Sequence, residues 1–243
     1  MPSLQIKILS DMKKKAVTEK KFGCEFCNRE FLRESTIMNH LCETKRRWND
    51  RDKHANRLGF QSWLQFYTKN SNSKKKREYL DFAKSPYYIA FVKYGNYCIN
   101  ANVLNVPRFT DWLIKEQIRL DTWAQDTVYN KFLVEYLRKE DAMDAVERSI
   151  VTTMELAEKD NIQARDCLRY GNRNRICHTV ANGRISPWVL YHSESGIKFL
   201  ESLDETQQKM ILEYINPEQW AIKFKRDKDI VKEVKDLLNA AGY

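Results

Sequence analysis

FGCEFCNREFLRESTIMNHLC, residues 22–42, is the stretch that decides how the N-terminal third of this chain folds. Cys24 and Cys27 have two residues between them, a tight-turn spacing that brings two thiolates to one side of a metal ion. A helix beginning near Arg33 then carries His40 in as a third ligand, and Phe31 and Ile37 supply a small core. This donor set points to Zn2+. A segment this short cannot bury enough apolar surface to fold alone, so metal binding, worth ~10–16 kcal/mol for short zinc-binding peptides, becomes its folding free energy.

The fourth ligand needs its own argument. Residues 43–46 are Glu, Thr, Lys and Arg, none of them a good zinc ligand. Cys42 lies two residues beyond His40, and at ~100° per residue it would sit on the opposite helix face unless the helix ends or unwinds. The reading adopted is an unwound end with Cys24, Cys27, His40 and Cys42 as ligands. His54, brought back by the downstream chain, is the alternative, and a water in the fourth position would open a catalytic site.

Phe22, Cys24, Cys27, Phe31, Ile37 and His40 together resemble the classical-type zinc finger, here in a Cys-Cys-His-Cys variant, over about 21 of the 243 residues. The resemblance implies a small ββα module. It also implies that Arg33, Thr36 and Asn39 occupy the positions that read bases in DNA-binding members, with Arg33 addressing guanine and Asn39 adenine. One finger reads only about 3 bp, so specific affinity needs further contacts. Lys45, Arg46, Arg47, Arg51, Lys53 and Arg57 are the candidates for gripping phosphates. Beyond the finger, the chain also resembles uncharacterised proteins of large tailed bacteriophages that carry one finger before a helical domain, a likeness that implies no function.

Charge is segregated in the same direction. The formal net charge is +9, yet residues 1–84 hold 20 Lys or Arg against 10 Asp or Glu, and the remainder holds 22 against 23. A polyanion would meet the N-terminal third first, because clustered cations release counterions from nucleic acid on binding. No stretch approaches the ~18 apolar residues of a membrane span, and the basic start lacks the apolar core of a secretory signal. Three of the six cysteines sit at metal-ligand spacing rather than in a disulfide pattern, which favours a reducing compartment. The expectation is an intracellular protein of the cytoplasm, or of a host cytoplasm if viral, without a membrane partner.

Residues 1–21 read as a mobile basic arm, 22–44 as the finger, 45–77 as a basic helix and linker, and 78–243 as an α-helical domain, the boundary lying in NSNSKKKR (70–77). Helical spacing links Leu58, Trp63, Phe66 and Tyr67; then Tyr87, Tyr88, Phe91, Tyr94 and Cys98, with Pro86 in their first turn; then Phe109, Trp112, Leu113 and Ile118; and Val128, Phe132, Leu133, Tyr136 and Leu137. Asp141 caps a helix whose buried stripe is read as Ala142, Ala145, Val146, Ile150 and Met154. Ser186 with Pro187, Asp204 with Glu205, and Asn216 with Pro217 mark three later starts. With seven glycines, five prolines and no paired strand runs, the fold class is mostly α.

Two further clusters invite a functional reading. Arg165, Arg169, Arg173, Arg175 and Arg184 surround Tyr170, a combination suited to phosphate and base stacking or, equally, to pairing with the acids of 135–160. Cys167, Cys177 and His178 lack the spacing and fourth ligand of a metal site and read as ordinary buried cysteines. There is no glycine-rich phosphate loop, G-x-S-x-G elbow or H-E-x-x-H, so the chain is not read as an enzyme. The leading expectation is therefore a zinc-finger protein binding nucleic acid, double-stranded DNA first, in an accessory or regulatory role. The alternatives are an adaptor with a purely structural zinc, docking on a polymerase or replication component, and a zinc-stapled nuclease using His54, Asp50 and Asp52.

Overall fold

A computed structural model describes residues 21–71 and 76–243. The basic arm over 1–20 and the centre of the lysine run at 72–75 lie outside the described residues. The rest is helical apart from one two-stranded sheet, with β1 (Phe22–Gly23) antiparallel to β2 (Glu30–Phe31) and Phe22 opposite Phe31. A five-residue helix, Glu34–Met38, completes a ββα module, and a seven-residue helix, Glu43–Asn49, follows it directly.

The long helix His54–Asn70 runs into the aromatic core, where Trp63 is buried with Phe82, Phe91, Tyr94, Phe109 and Trp123. It crosses the helix Tyr88–Asn100 closely enough for the backbones to meet. A Cβ added at Gly95 would lie 2.1 Å from the Ala55 carbonyl oxygen, and one at Gly59 would lie 2.7 Å from that of Phe91. Glycine is the only residue that permits this approach. Residues 45–77, read as a basic helix and linker, thus contain core as well as surface, with Leu58, Trp63, Phe66 and Tyr67 of the expected apolar face in or against that core. On the far side of 72–75, Arg77 returns to the same core and lays its guanidinium 4.3 Å from the centroid of the Tyr67 ring.

The aromatic run after the lysines forms a helix as expected, but it begins only at Tyr88, so Pro86 stands before it rather than in its first turn. Tyr87 is the N-cap and half exposed, Pro86 precedes it, and the buried face is Tyr88, Phe91, Tyr94 and Cys98. Helices Val106–Lys115 and Asp126–Lys139 follow. Asp141 caps the helix Ala142–Asp160 by accepting from the Met143 and Asp144 amides. Its stripe departs from the sequence reading: Met154 is 54% exposed, and Ser149, Thr152, Thr153, Leu156 and Ala157 continue the buried face. The three hydroxyls donate to carbonyls of their own helix, those of Ala145, Arg148 and Ile150, so polar side chains enter the core already satisfied.

Ser186, Asp204 and Asn216 all cap the helices that they announce, Asp204 and Gln207 reciprocally. Burial pushes the Glu140 carboxyl above its ordinary value, against the pull of Arg148, which grips both its oxygens at 2.7 and 2.9 Å. Arg148 also donates to the Gly183 carbonyl, tying this helix to the chain entering Pro187–His192. Among the described residues, no helix is long and apolar enough to cross a membrane.

Candidate metal centre

The turn Cys24–Asn28 is closed by the Asn28 amide donating to the Cys24 carbonyl (2.7 Å) and the Cys24 amide donating to that of Arg29 (2.8 Å). Asn28 takes a left-handed φ of 58°, a conformation that asparagine tolerates better than most residues. Both cysteine side chains thereby face the chain arriving from Glu34–Met38. That helix stops at Met38, with Asn39 as its cap and His40 already beyond it. Cys42 is then the extended N-cap of Glu43–Asn49, its Sγ accepting from the Lys45 amide at 3.4 Å.

Ending the helix early removes the angular objection to Cys42. One ligand atom from each of Cys24, Cys27, His40 and Cys42 lies within 4.8 Å of the other three. Cys24 and Cys42 Sγ are 4.0 Å apart, and Cys27 Sγ is 3.2 Å from His40 Nε2. A tetrahedral ion with Zn–S and Zn–N bonds of ~2.3 and ~2.0 Å would hold such atoms roughly 3.5–3.8 Å apart. The arrangement is therefore compatible with a Cys3His zinc site. Among the described residues it is also the only cluster of His, Cys, Asp or Glu gathered tightly enough to hold a metal ion. His54, the alternative ligand, opens the next helix, exposed and outside this group.

The local field acts oppositely on the two cysteines of the turn. Burial disfavours charge on Cys24, but backbone hydrogen bonds from Cys27 and Phe26 and side-chain bonds with Cys27 and Cys42 hold its thiol below the usual value. Cys27 receives a backbone hydrogen bond at Arg29 that favours its thiolate, yet burial and the neighbouring thiols leave it raised, as expected for several like groups crowded together. A cation bound among them would relieve that crowding.

The finger is bound to the helical body by the helix Glu43–Asn49. Arg47, expected on a phosphate-gripping face, points inward instead, with its side chain 18% exposed. It donates to the carbonyls of Ala83 (3.0 Å) and Ser85 (3.5 Å), and its guanidinium lies 4.6 Å from the Tyr88 ring centroid. The Tyr79 hydroxyl donates to the Arg47 carbonyl at 3.3 Å. Trp48 bridges the two parts, 6.1 Å from Phe26 and 5.9 Å from Tyr79 by ring centroids. Sequence reasoning missed Phe26 and Trp48, although an aromatic between the cysteines and another beside a cationic triplet were the available signals.

The remaining candidate contacts divide. Arg33, Thr36 and Asn39 are exposed, but the Asn39 side-chain amide donates to the Ser35 carbonyl at 3.0 Å, and only Thr36 lies within the five-residue helix, which Arg33 and Asn39 flank as caps. Lys45 donates to the His40 carbonyl at 3.2 Å, which steadies the backbone at His40. Arg46, Arg51, Lys53 and Arg57 are exposed. Arg46 lies 3.4 Å from Glu43, Lys53 2.8 Å from Asp50 and Arg51 3.8 Å from Asp52, all surface pairs of little energetic worth. Of the second cysteine set, Cys167 and Cys177 are fully buried while His178 is exposed. Among the arginines around Tyr170, Arg175 pairs with Asp160 and Arg184 with Glu155. No protein-family model, curated protein or solved structure matches the chain.

Proposed function

We propose that this chain binds one structural zinc ion through Cys24, Cys27, His40 and Cys42, and binds nucleic acid, double-stranded DNA in the first instance, with the surface around it. The observation that carries the reading is the set of exposed cations close in sequence to the metal module: Arg33 at the N-cap of the helix Glu34–Met38, Arg46 on Glu43–Asn49, Arg51 and Lys53 in the turn after it, and Arg57 on His54–Asn70. Zinc fixes the ββα module in place of an apolar core. The cations neutralise phosphates, while the short finger helix offers Arg33 and Thr36 to base edges.

Salt dependence provides the test. Binding of the zinc-loaded protein to duplex DNA, single-stranded DNA and RNA should weaken steeply as salt rises. Reversing Arg46, Arg51 and Arg57 to Glu should remove about 3 from the slope of log K against log salt if all three face phosphates. Binding that is absent at low salt, or indifferent to these reversals, would refute the reading.

A second reading, a protein-interaction adaptor, is favoured by one observation. Leu32, Met38 and Leu41 are 64%, 74% and 57% exposed, all on the finger, where a solvated module would carry polar side chains. Under that reading, serine substitution of these three abolishes partner binding and leaves zinc content and DNA affinity unchanged.

A further inference from the structure

We infer that the helical region carries a second binding site, independent of the finger, that takes one nucleotide of a single-stranded nucleic acid at the turn joining helices Cys167–Tyr170 and Arg173–Ala181. An open cavity of about 460 Å3 lies there, walled by Arg169, Tyr170, Arg173, Asn174 and Gln207, with no acidic side chain in its lining. Its volume falls in the ~300–1,000 Å3 range of small-molecule sites.

The polar groups on this wall are mostly donors. Gln207 is committed, since its carbonyl oxygen accepts from the Asp204 amide and its Nε2 donates to the Asn174 Oδ1 at 2.8 Å. That second bond fixes the Asn174 amide and leaves its NH2 turned to donate. Arg173 spends only its Nε, on the Ser202 hydroxyl at 3.1 Å, and meets no acid among the described residues. Arg169 reaches Glu194 at 3.1 Å, but that carboxylate is shared with Lys198 at 2.5 Å, so positive charge is left over. Donors without acceptors select an anion, and planar guanidinium groups suit phosphate oxygens.

Tyr170 makes the ligand more than a phosphate. It is 73% exposed, the most exposed ring among the large hydrophobic residues, and it stands between the two arginines in sequence and lines the same cavity. A base stacked on its ring would place the attached phosphate between Arg169 and Arg173, with the Asn174 amide available to a base carbonyl. Duplex DNA keeps its bases stacked on each other, so the base that reaches Tyr170 belongs to a single strand. The turn is held ready for this, because the Asn172 side chain accepts from the Arg175 amide and the Asn172 amide donates to Asp160, both at 3.1 Å.

The experiment is fluorescence anisotropy of a short labelled oligothymidylate with the full-length, zinc-loaded protein. Tyr170→Ala should weaken binding roughly 5- to 150-fold, the loss of one stacked base, whereas Tyr170→Phe should retain it. Arg173→Ala should weaken binding and lower the salt slope by about 0.7, the single-strand value for one phosphate. Thymidine monophosphate should compete better than inorganic phosphate, and phosphotyrosine should compete no better than phosphate. Unchanged affinity in Tyr170→Ala and Arg173→Ala proteins that melt like the wild type would overturn the inference, as would stronger competition by phosphotyrosine, which marks a phosphopeptide. Reversing Arg46, Arg51 and Arg57 tests the finger alone, so either site can fail while the other stands.

Discussion

Replacing Arg47 with alanine separates a structural role from a nucleic-acid contact at a single position. Its Nη1 serves two carbonyls on residues that are 0% and 6% exposed, Ala83 and Ser85, at the end of the helix Tyr79–Lys84. A hydrogen bond from a charged donor to such a group is worth about 1.5–3 kcal/mol. The guanidinium over Tyr88 adds about 0.5–2 kcal/mol. The contact with Glu43, whose side chain is 58% exposed, adds little. Arg47→Ala should therefore cost about 2–5 kcal/mol in urea unfolding of the zinc-loaded protein. Arg47→Lys should recover less than half of that, because an ammonium cannot reproduce the fork. Protease sites between residues 39 and 53 should open at the same time. A loss below about 0.5 kcal/mol, together with a salt slope for DNA binding lowered by about 1, would refute the argument and return Arg47 to the phosphate-binding set.

Two other perturbations test the body of the fold. Gly95→Ala should destabilise by about 3 kcal/mol or more, since the new methyl would meet the Ala55 carbonyl at 2.1 Å; were the helices not in backbone contact, the same change would raise stability by up to ~1 kcal/mol through helix propensity, so calorimetry reads the sign. Asp227 is held down to about 2, chiefly by hydrogen bonds from Arg226, helped by Lys223. Its folded value lies below the unfolded one, so its contribution is present above ~pH 4 and lost as pH falls towards 2. Asp227→Asn should lower stability at pH 7 by less than about 1 kcal/mol, and the difference from wild type should vanish near pH 2 in matched urea titrations.

The helical class, the gathering of three cysteines and a histidine and the late helix starts were legible because each rests on local chemistry. Ser186, Asp204 and Asn216 need only their own side chains to cap. Cys42 was legible only as a conditional, since its geometry turns on where the Glu34–Met38 helix ends, and spacing alone does not set that point. The buried stripe of Ala142–Asp160 was misassigned by following apolar residues to Met154, because threonines that bond back to their own helix can be buried at little cost. Arg47 was out of reach altogether. Nothing near KRR in sequence reveals carbonyls 36 and 38 residues away, so a cation that pins two parts together reads the same as one that faces solvent.

Zinc ligation is read from the metal content of the purified chain, paired with the absorption spectrum of its Co2+-substituted form, in the wild type and in Cys42→Ala and His54→Ala variants. The account predicts one zinc per chain, a tetrahedral cobalt spectrum with thiolate charge transfer, loss of both in Cys42→Ala, and no change in His54→Ala. A chain that retains no metal, or one that loses it with His54 and keeps it without Cys42, would contradict the account.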